Sequence, residues 1–351
     1  MTHRERRRFF TGLGFTSLWI VGLAVFTAYP VIASLYYSFC DYSILKTAVW
    51  CGLENYHELF RDDLFWKSLG NTLFFAGLSV PLGTVVSLSL ALLLDCDVRG
   101  RSFFRVVFYL PSIVPMVAAS MLWLWIFNGQ YGLLNATLAP LLALLGVHPP
   151  AWLTDPTWAK PALVIMSLWG MGNAMVIYLA GLQNVPRQLY EAAAIDGANA
   201  WRRFWHVTLP MISPVVYFNV VMGIIGALQV FTQPFIISDA ANGATGTHDG
   251  SPERSLLFYT IYLFTTAFHD LRMGYASAMA YVLFVIIATL TWIATRVSRG
   301  VALMSISRFI GNRRLGSARR LGAWIGAVEC EWGGGAPERV EASDGRIVTG
   351  Y

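Results

Sequence analysis

Uncharged polar side chains interrupt the most apolar parts of this sequence. Asn173 lies in one such stretch, and Gln229 and Gln233 lie in another, with Phe231 between them. Amide groups inside a helical bundle can hydrogen-bond the hydroxyl groups of a polyhydroxy solute such as a sugar, and an aromatic ring can stack on its apolar face. Amides can equally bond one helix to another. Both roles stay open, and the four residues are candidates for a solute path.

Sequence motifs for catalysis are absent. The chain has no G-x-x-x-x-G-K-[ST] loop to hold ATP phosphates, no H-E-x-x-H metal motif, no Cys-x-x-Cys pair and no G-x-S-x-G nucleophile turn. We therefore predict no catalytic residue, no metal site and no cofactor bound by this chain. The apolar segments also lack mid-span ionisable side chains, which a proton- or sodium-driven pump needs for its coupling ion.

Long charge-free segments must position the polar residues. Hydrophobic side chains make up 56% of the 351 residues and charged ones only 13%, which indicates a membrane protein. A helix needs roughly 20 apolar residues to cross a bilayer, and the segments lack the alternation of barrel strands, so we predict an all-α integral membrane protein. The six predicted transmembrane helices lie at about residues 15–39, 70–94, 106–128, 160–182, 214–237 and 273–296.

Arginine placement predicts the orientation. Arginines cluster before the first span and in the loops after spans two, four and six, whereas the first alternate loop is acidic. Because basic flanks resist translocation, both termini are predicted to be cytoplasmic, with membrane lipid around the spans. The net charge of +5 reflects this bias, so no nucleic-acid partner is predicted.

The segment between spans four and five, residues 183–213, has more helical character than a short loop needs. Pro186 is a good starting residue for a helix, and Gly197 supplies a break because glycine takes a positive φ without strain. A second helix can follow and is predicted to stop at Pro210. We call this predicted helix-turn-helix the elbow, residues 186–210. One face of its first helix carries Leu189, Ala192, Ala193 and Asp196.

The elbow resembles the EAA signature of ABC importer permeases. An acidic residue and two alanines are followed, at the family's spacing, by a glycine and a Leu-Pro pair, with Val207 where isoleucine is usual. The resemblance implies that Glu191 meets a polar group of an ATPase subunit, that the alanines allow close fit, and that Gly197 makes the turn. The implied coupling residues are Glu191, Ala192, Ala193, Gly197, Leu209 and Pro210.

Further stretches within residues 15–299 are similar to carbohydrate-uptake permeases of the maltose and glycerol-3-phosphate type, among them Gly52-Leu-Glu-Asn-Tyr56. The resemblance implies a type I ABC importer permease fold in the bacterial inner membrane. It also implies a second permease subunit, two ATPase subunits that bind ATP and Mg, and an extracytoplasmic solute-binding protein. The sequence leaves open an importer for a non-sugar solute and a stand-alone secondary transporter, and it does not indicate which sugar is carried.

The predicted domain organisation has three parts: a cytoplasmic N-terminus at residues 1–14, the permease domain at 15–299 and a cytoplasmic tail at 300–351. The tail is first basic and then Gly-rich and acidic, which predicts poor order. Cys40 and Cys51 fall in one predicted external loop, where either a disulfide or two free thiols would fit the sequence.

Overall fold

Helices that could cross a membrane dominate the architecture. The computed structural model describes residues 3–96, 99–144, 149–241 and 250–311. Four helices in it are long and apolar enough to span a bilayer without a sharp bend: Thr11–Tyr37, Asp63–Asp95, Ala200–Ala240 and Met273–Arg296. The individual helices are α1 His3–Leu23, α2 Tyr29–Tyr37, α3 Glu54–Arg61, α4 Asp63–Asp95, α5 Arg101–Tyr109, α6 Met116–Ile126, α7 Leu133–Leu144, α8 Pro156–Trp169, α9 Gly172–Gln183, α10 Arg187–Ile195, α11 Ala200–Arg203, α12 Leu209–Leu228, α13 Thr232–Ala241, α14 Tyr259–Phe264 and α15 Met273–Gly311.

Two further spans are broken helices. The chain bends by 99° between Arg101–Ile113 and Met116–Ile126, and by 48° between Pro156–Trp169 and Gly172–Gln183. At the first break a 3₁₀ turn, Leu110–Ile113, contains one proline, and a second proline lies two residues after the turn. Prolines remove the backbone donors that a continuous helix needs. Counting each bent pair as one span gives six, as predicted, but spans three and four are not the uninterrupted helices expected at 106–128 and 160–182.

The spans pack around α4, which contributes to three hydrophobic clusters. Phe75 packs with the segment that precedes α14, Leu88 with α9 and the start of α12, and Phe65 with α14 and α15. Span one differs from the others, because no side chain among residues 11–37 is buried.

Shorter elements connect the spans where the sequence predicted only loops. An antiparallel hairpin, β1 Cys40–Ser43 and β2 Lys46–Trp50, follows span one and is a small exception to the predicted all-α fold. Helix α7 occupies the predicted loop between spans three and four, and α14 with the π-helical turn Thr265–His269 precedes span six.

The chain divides into two units, Met1–Arg299 and Gly300–Tyr351. The first contains the hairpin, where Cys40 and Cys51 are free thiols. In the second, the backbone is helical to Gly311, and the remainder of the tail that was predicted to be poorly ordered lies outside the described residues.

Candidate functional site

A cavity of about 500 Å³ lies where the broken spans meet α4 and α12. Both breaks contribute to its wall, because the kinked backbone of Pro111 and Val114 and the interruption at Gly170 face it. The volume falls in the range of small-molecule sites, roughly 300–1,000 Å³. The lining also includes Ser79, Thr84, Ser112, Trp123, Ser167, Trp169, Asn173, Tyr178, Asn219 and Gln233.

Amide side chains reach the cavity from two spans, from span four through α9 and from span five through α12 and α13. Asn173 is exposed to it and has no hydrogen-bond partner among the described residues. Gln233 is 9% exposed, and its Nε2 lies 3.1 Å from the Sδ of Met116. The Nδ2 of Asn219 donates to the backbone carbonyl of Val215 in its own helix. The amide oxygens of these residues therefore remain available to accept hydrogen bonds from a solute.

Three further polar atoms in the lining are buried and have no hydrogen-bond partner in the described part of the chain: Ser79 Oγ, Trp123 Nε1 and the Tyr178 hydroxyl. A buried polar atom left unpaired costs about 1–3 kcal/mol. These three atoms are also shielded from the cavity, so the groups that the wall presents to a polar occupant are its exposed amides and hydroxyls.

The cavity wall is uncharged. None of its lining residues is Asp, Glu, Lys, Arg or His. Mostly apolar side chains with a few amides, hydroxyls and indole rings can pack on and hydrogen-bond a neutral solute, and such a wall attracts neither anions nor cations. Elsewhere in the described ranges no three His, Cys, Asp or Glu side chains are grouped so that they could hold a metal ion.

Two of the four predicted path residues lie outside this wall. Gln229 ends α12 and is exposed, but it is not among the lining residues. The ring of Phe231 packs on Phe235 and Phe264, at centroid distances of 4.9 and 5.3 Å. The backbone interruption between α12 and α13 separates both side chains from Gln233, which does face the cavity.

The elbow forms the second site. Helix α10 ends at Ile195, and Gly197 turns the chain with φ of +72°. The side-chain oxygen of Asn199 caps α11 by accepting from the backbone N–H of Arg202 at 2.9 Å. The predicted break is therefore present. The first arm of the elbow is α10, and the second arm, which begins directly after the break, is α11 with the π-helical turn that follows it.

The two arms of the elbow are held to each other and to the bundle. The hydroxyl of Tyr190 lies 3.0 Å from Thr208 Oγ1, across the turn. Leu189, Phe204 and Val207 pack against a cluster formed by α4, α9 and the start of α12. A displacement of the elbow would therefore be transmitted to three spans.

The outer surface of α10 differs from the predicted face. Leu189 packs inward and Ala193 is half-buried, whereas Glu191 and Ala192 are exposed. The carboxylate of Glu191 has no hydrogen-bond or ion-pair partner within the described ranges. Ile195 is 87% exposed at the end of the helix. The exposed stripe is therefore Gln188, Glu191, Ala192 and Ile195, at the spacing of one helix face.

The predicted stop at Pro210 is wrong. A π-helical turn, Phe204–Thr208, precedes the proline, and the helical path continues into span five. Pro210 lies two residues after the end of this turn, at a point where the α-helical hydrogen-bond pattern is already interrupted. The elbow's second arm is therefore continuous with a membrane span rather than separate from it.

Sequence reasoning missed several residues of both sites. Asn219 carried the same signal as Asn173, an amide within a charge-free stretch, and could have been included. Ser79 and Trp123 had no distinguishing signal, because serine and tryptophan are ordinary in membrane helices. The exposure of Ile195 depends on where α10 ends and the turn at Gly197 begins, and residue spacing alone did not predict that boundary.

The chain is similar to known proteins over most of its length. Residues 79–303 match the family described as binding-protein-dependent transport system inner membrane component. The probable ABC transporter permease protein YesP of Bacillus subtilis (strain 168) is 39% identical over 290 residues, covering 82% of this chain and 90% of the relative. The lactose transport system permease protein LacF of Rhizobium radiobacter is 35% identical over 276 residues, covering 77% and 88%.

A solved structure has a similar fold. A chain of a bacterial alginate ABC transporter, crystallised with an alginate pentasaccharide-bound periplasmic protein, superposes with a TM-score of 0.71. The match covers 85% of this chain and 97% of that one at 22% sequence identity, so it bears on the fold alone.

Proposed function

We propose that this chain, which belongs to the family of binding-protein-dependent transport system inner membrane components, carries a sugar or sugar derivative across the membrane as the permease subunit of an ATP-driven importer. Family membership confirms the predicted resemblance to ABC importer permeases, and the solved structure confirms the type I permease fold. Because the family consists of membrane transport subunits, the prediction that the chain is not an enzyme is confirmed as well.

The observation that carries the proposed substrate class is the uncharged wall of the cavity, in which a few amides and hydroxyls lie among mostly apolar side chains. Its amides can hydrogen-bond a neutral solute with many hydroxyl groups, and its indole and apolar surfaces can pack on that solute. The names of relatives support the same class, since they include a lactose and a trehalose/maltose transport permease. A non-sugar solute is the second candidate, whereas a stand-alone secondary transporter has no support in the cavity, whose wall lacks ionisable groups.

The proposed assembly contains a second permease subunit, two ATPase subunits that bind ATP and Mg, and an extracytoplasmic binding protein that delivers the solute. The chain would lie in the bacterial inner membrane with both termini in the cytoplasm. Glu191 and its exposed neighbours on α10 would contact an ATPase subunit, and Gly197 would keep the turn that presents them. ATP binding would then move the elbow and, through its packing on α4 and α9, the walls of the cavity.

Affinity purification of the chain from its native membrane in mild detergent, followed by mass spectrometry, tests the assembly. We expect a P-loop ATPase and a second permease to be recovered with it. Recovery of the chain alone, under conditions that preserve other importers, would overturn the proposal. The ligand extracted from any associated binding protein identifies the solute, and a non-carbohydrate ligand would contradict the proposed substrate class.

Uptake of that solute by cells that produce cavity variants tests the path. Asn173→Ala and Asn219→Ala remove amides from the wall and should lower uptake several-fold with normal amounts of protein in the membrane. Gln229→Ala is the matched control, since it removes an exposed amide outside the wall. Equal uptake by all three variants would exclude this cavity as the path.

A further inference from the structure

The turn of the β1–β2 hairpin is apolar and exposed. Ser43 pairs with Lys46, so Ile44 and Leu45 form a two-residue turn, and these side chains are 60% and 78% exposed. Turns of this length normally carry Gly, Asn or Asp, which suit the backbone and solvate well. The position therefore indicates an apolar environment around the tip of the hairpin.

Aromatic contacts join the hairpin to the end of span one. Tyr37 stacks on Tyr42 with ring centroids 4.4 Å apart. Trp50 lies 5.6 Å from Phe39 and 5.9 Å from Tyr36, centroid to centroid. Tyrosine and tryptophan concentrate at the membrane–water interface. The base of the hairpin thus has the composition of that interface and continues directly from a span.

The hairpin passes close to the first turn of span six. A Cβ placed on Gly274 would lie 2.1 Å from the carbonyl oxygen of Cys40 and 3.1 Å from the backbone nitrogen of Tyr42. The end of the turn is three residues further on, or about 10 Å at about 3.3 Å per residue. The polar headgroup layer is roughly 5–8 Å thick on each side of a bilayer. The tip therefore lies within reach of the leaflet into which span six enters.

We propose that the hairpin is a lipid-contacting element, in which Ile44 and Leu45 insert into the bilayer leaflet beside spans one and six. Lys46 follows the turn directly and is exposed, so its ammonium group would lie at the level of the lipid phosphates. This element would add a lipid contact at the end of span one, where Asn55 already holds the carbonyl groups of Ser38 and Cys40. The proposal does not depend on which solute is transported.

Spin-label accessibility in vesicles tests the insertion. Leu45→Cys carries the nitroxide in the full chain, purified with any subunits that accompany it, after Cys51, Cys96 and Cys330 are changed to serine. The vesicles contain phosphatidylethanolamine and phosphatidylglycerol. Oxygen concentrates in lipid, whereas a neutral nickel chelate concentrates in water. Glu54→Cys on α3, also exposed, is the matched control.

We expect the label at position 45 to be several-fold more accessible to oxygen, and several-fold less accessible to the nickel chelate, than the label at position 54. Lys46→Glu should shift the label at position 45 towards the nickel chelate in vesicles that contain phosphatidylglycerol. Equal nickel accessibility at the two positions would place the tip in water and overturn the proposal. Low accessibility to both reagents at position 45 would place the label against protein, and this result would also overturn the proposal.

Discussion

The hydroxyl of Tyr190 lies 3.0 Å from Thr208 Oγ1 and joins the two arms of the elbow across its turn. Thr208 is 5% exposed and belongs to the π-helical turn that leads into span five. One hydrogen bond therefore joins α10, which carries the exposed stripe, to the start of span five. Motion of the first arm of the elbow is thereby coupled to motion of the second arm.

Removal of this bond should loosen the elbow. We expect Tyr190→Phe and Thr208→Val each to destabilise the protein by about 0.5–1.5 kcal/mol, with a double variant less destabilised than the sum, because the two side chains share one bond. Thermal unfolding in detergent measures both effects.

The control for this prediction is Tyr217→Phe, which breaks the 2.7 Å bond between Tyr217 and Thr295, outside the elbow. In the reconstituted importer, the elbow variants should transport less solute per ATP hydrolysed than the control does. Strict additivity of the two elbow variants would show that their hydroxyl groups are not coupled.

Gly197 should not tolerate a side chain. Its φ of +72° lies in the left-handed region, where an L-residue with a Cβ pays about 1–2 kcal/mol, although a Cβ there would meet no atom within 4 Å. Gly197→Val should therefore reduce coupled transport through the backbone alone. Gly77→Ala is the control, because Gly77 has equal space and no positive φ. Unchanged transport by Gly197→Val would contradict the role of the turn.

The crossing of the two broken spans should depend on Gly172. A Cβ at this residue would lie 2.5 Å from the carbonyl oxygen of Phe108 and 2.8 Å from the Cα of Tyr109. Gly172→Ala should push the breaks apart and cost about 1–3 kcal/mol. Gly170→Ala in the same break meets its nearest atom at 3.8 Å and should be tolerated. Equal melting temperatures of the two variants would show that the crossing adjusts without cost.

The sequence predicted the number of spans and the elbow because both depend on local composition. Charge-free stretches mark helices that must bond internally in lipid, and a glycine after a short helix marks a left-handed turn. Span three was predicted as one helix, although Pro111 and Pro115 lie at its bend and could have indicated it. In contrast, the bend at Gly170 carries no proline, so periodicity gave no reason to divide span four.

The site was predicted less completely, because a cavity wall depends on how the helices rotate. Asn173 and Gln233 face the cavity as expected. Gln229 lies only four residues before Gln233, and in one continuous helix the two would share a face; the interruption between α12 and α13 separates them. Ser79 was missed because its role follows from α4 packing beside both breaks.

A carboxylate should hold the start of span two to α14 and to the first turn of span six. Asp62 Oδ1 accepts from the backbone N–H of Leu64, and Oδ2 accepts from the hydroxyls of Tyr262 and Tyr275. Asp62→Asn removes the negative charge and one of the two accepting oxygens, and should lower the free energy of unfolding by about 1.5–3 kcal/mol. Asp63→Asn changes an exposed neighbour and is the control. Similar unfolding temperatures of the two variants would exclude this anchoring role.

The thiol of Cys51 should react slowly with alkylating reagents near neutral pH. Burial raises its pKa above the ordinary value of 9.0, with the charges of Glu54, Cys40 and Asp41 acting in the same direction and a backbone hydrogen bond from Asn55 opposing them. The reactive form is the thiolate, and a raised pKa means a smaller thiolate fraction at every pH below it. The rate should therefore keep rising as the pH passes 9.0.

Time-resolved labelling with iodoacetamide, followed by peptide mass spectrometry between pH 7 and 10, measures this rate. Cys96 is exposed and serves as the internal reference, whereas Cys40 is fully buried and should stay unlabelled. If Cys51 reached its maximal rate at a pH below 9.0, burial would not control its ionisation. Labelling of Cys51 that appeared only after a reductant was added would instead show that this thiol is held in a disulfide.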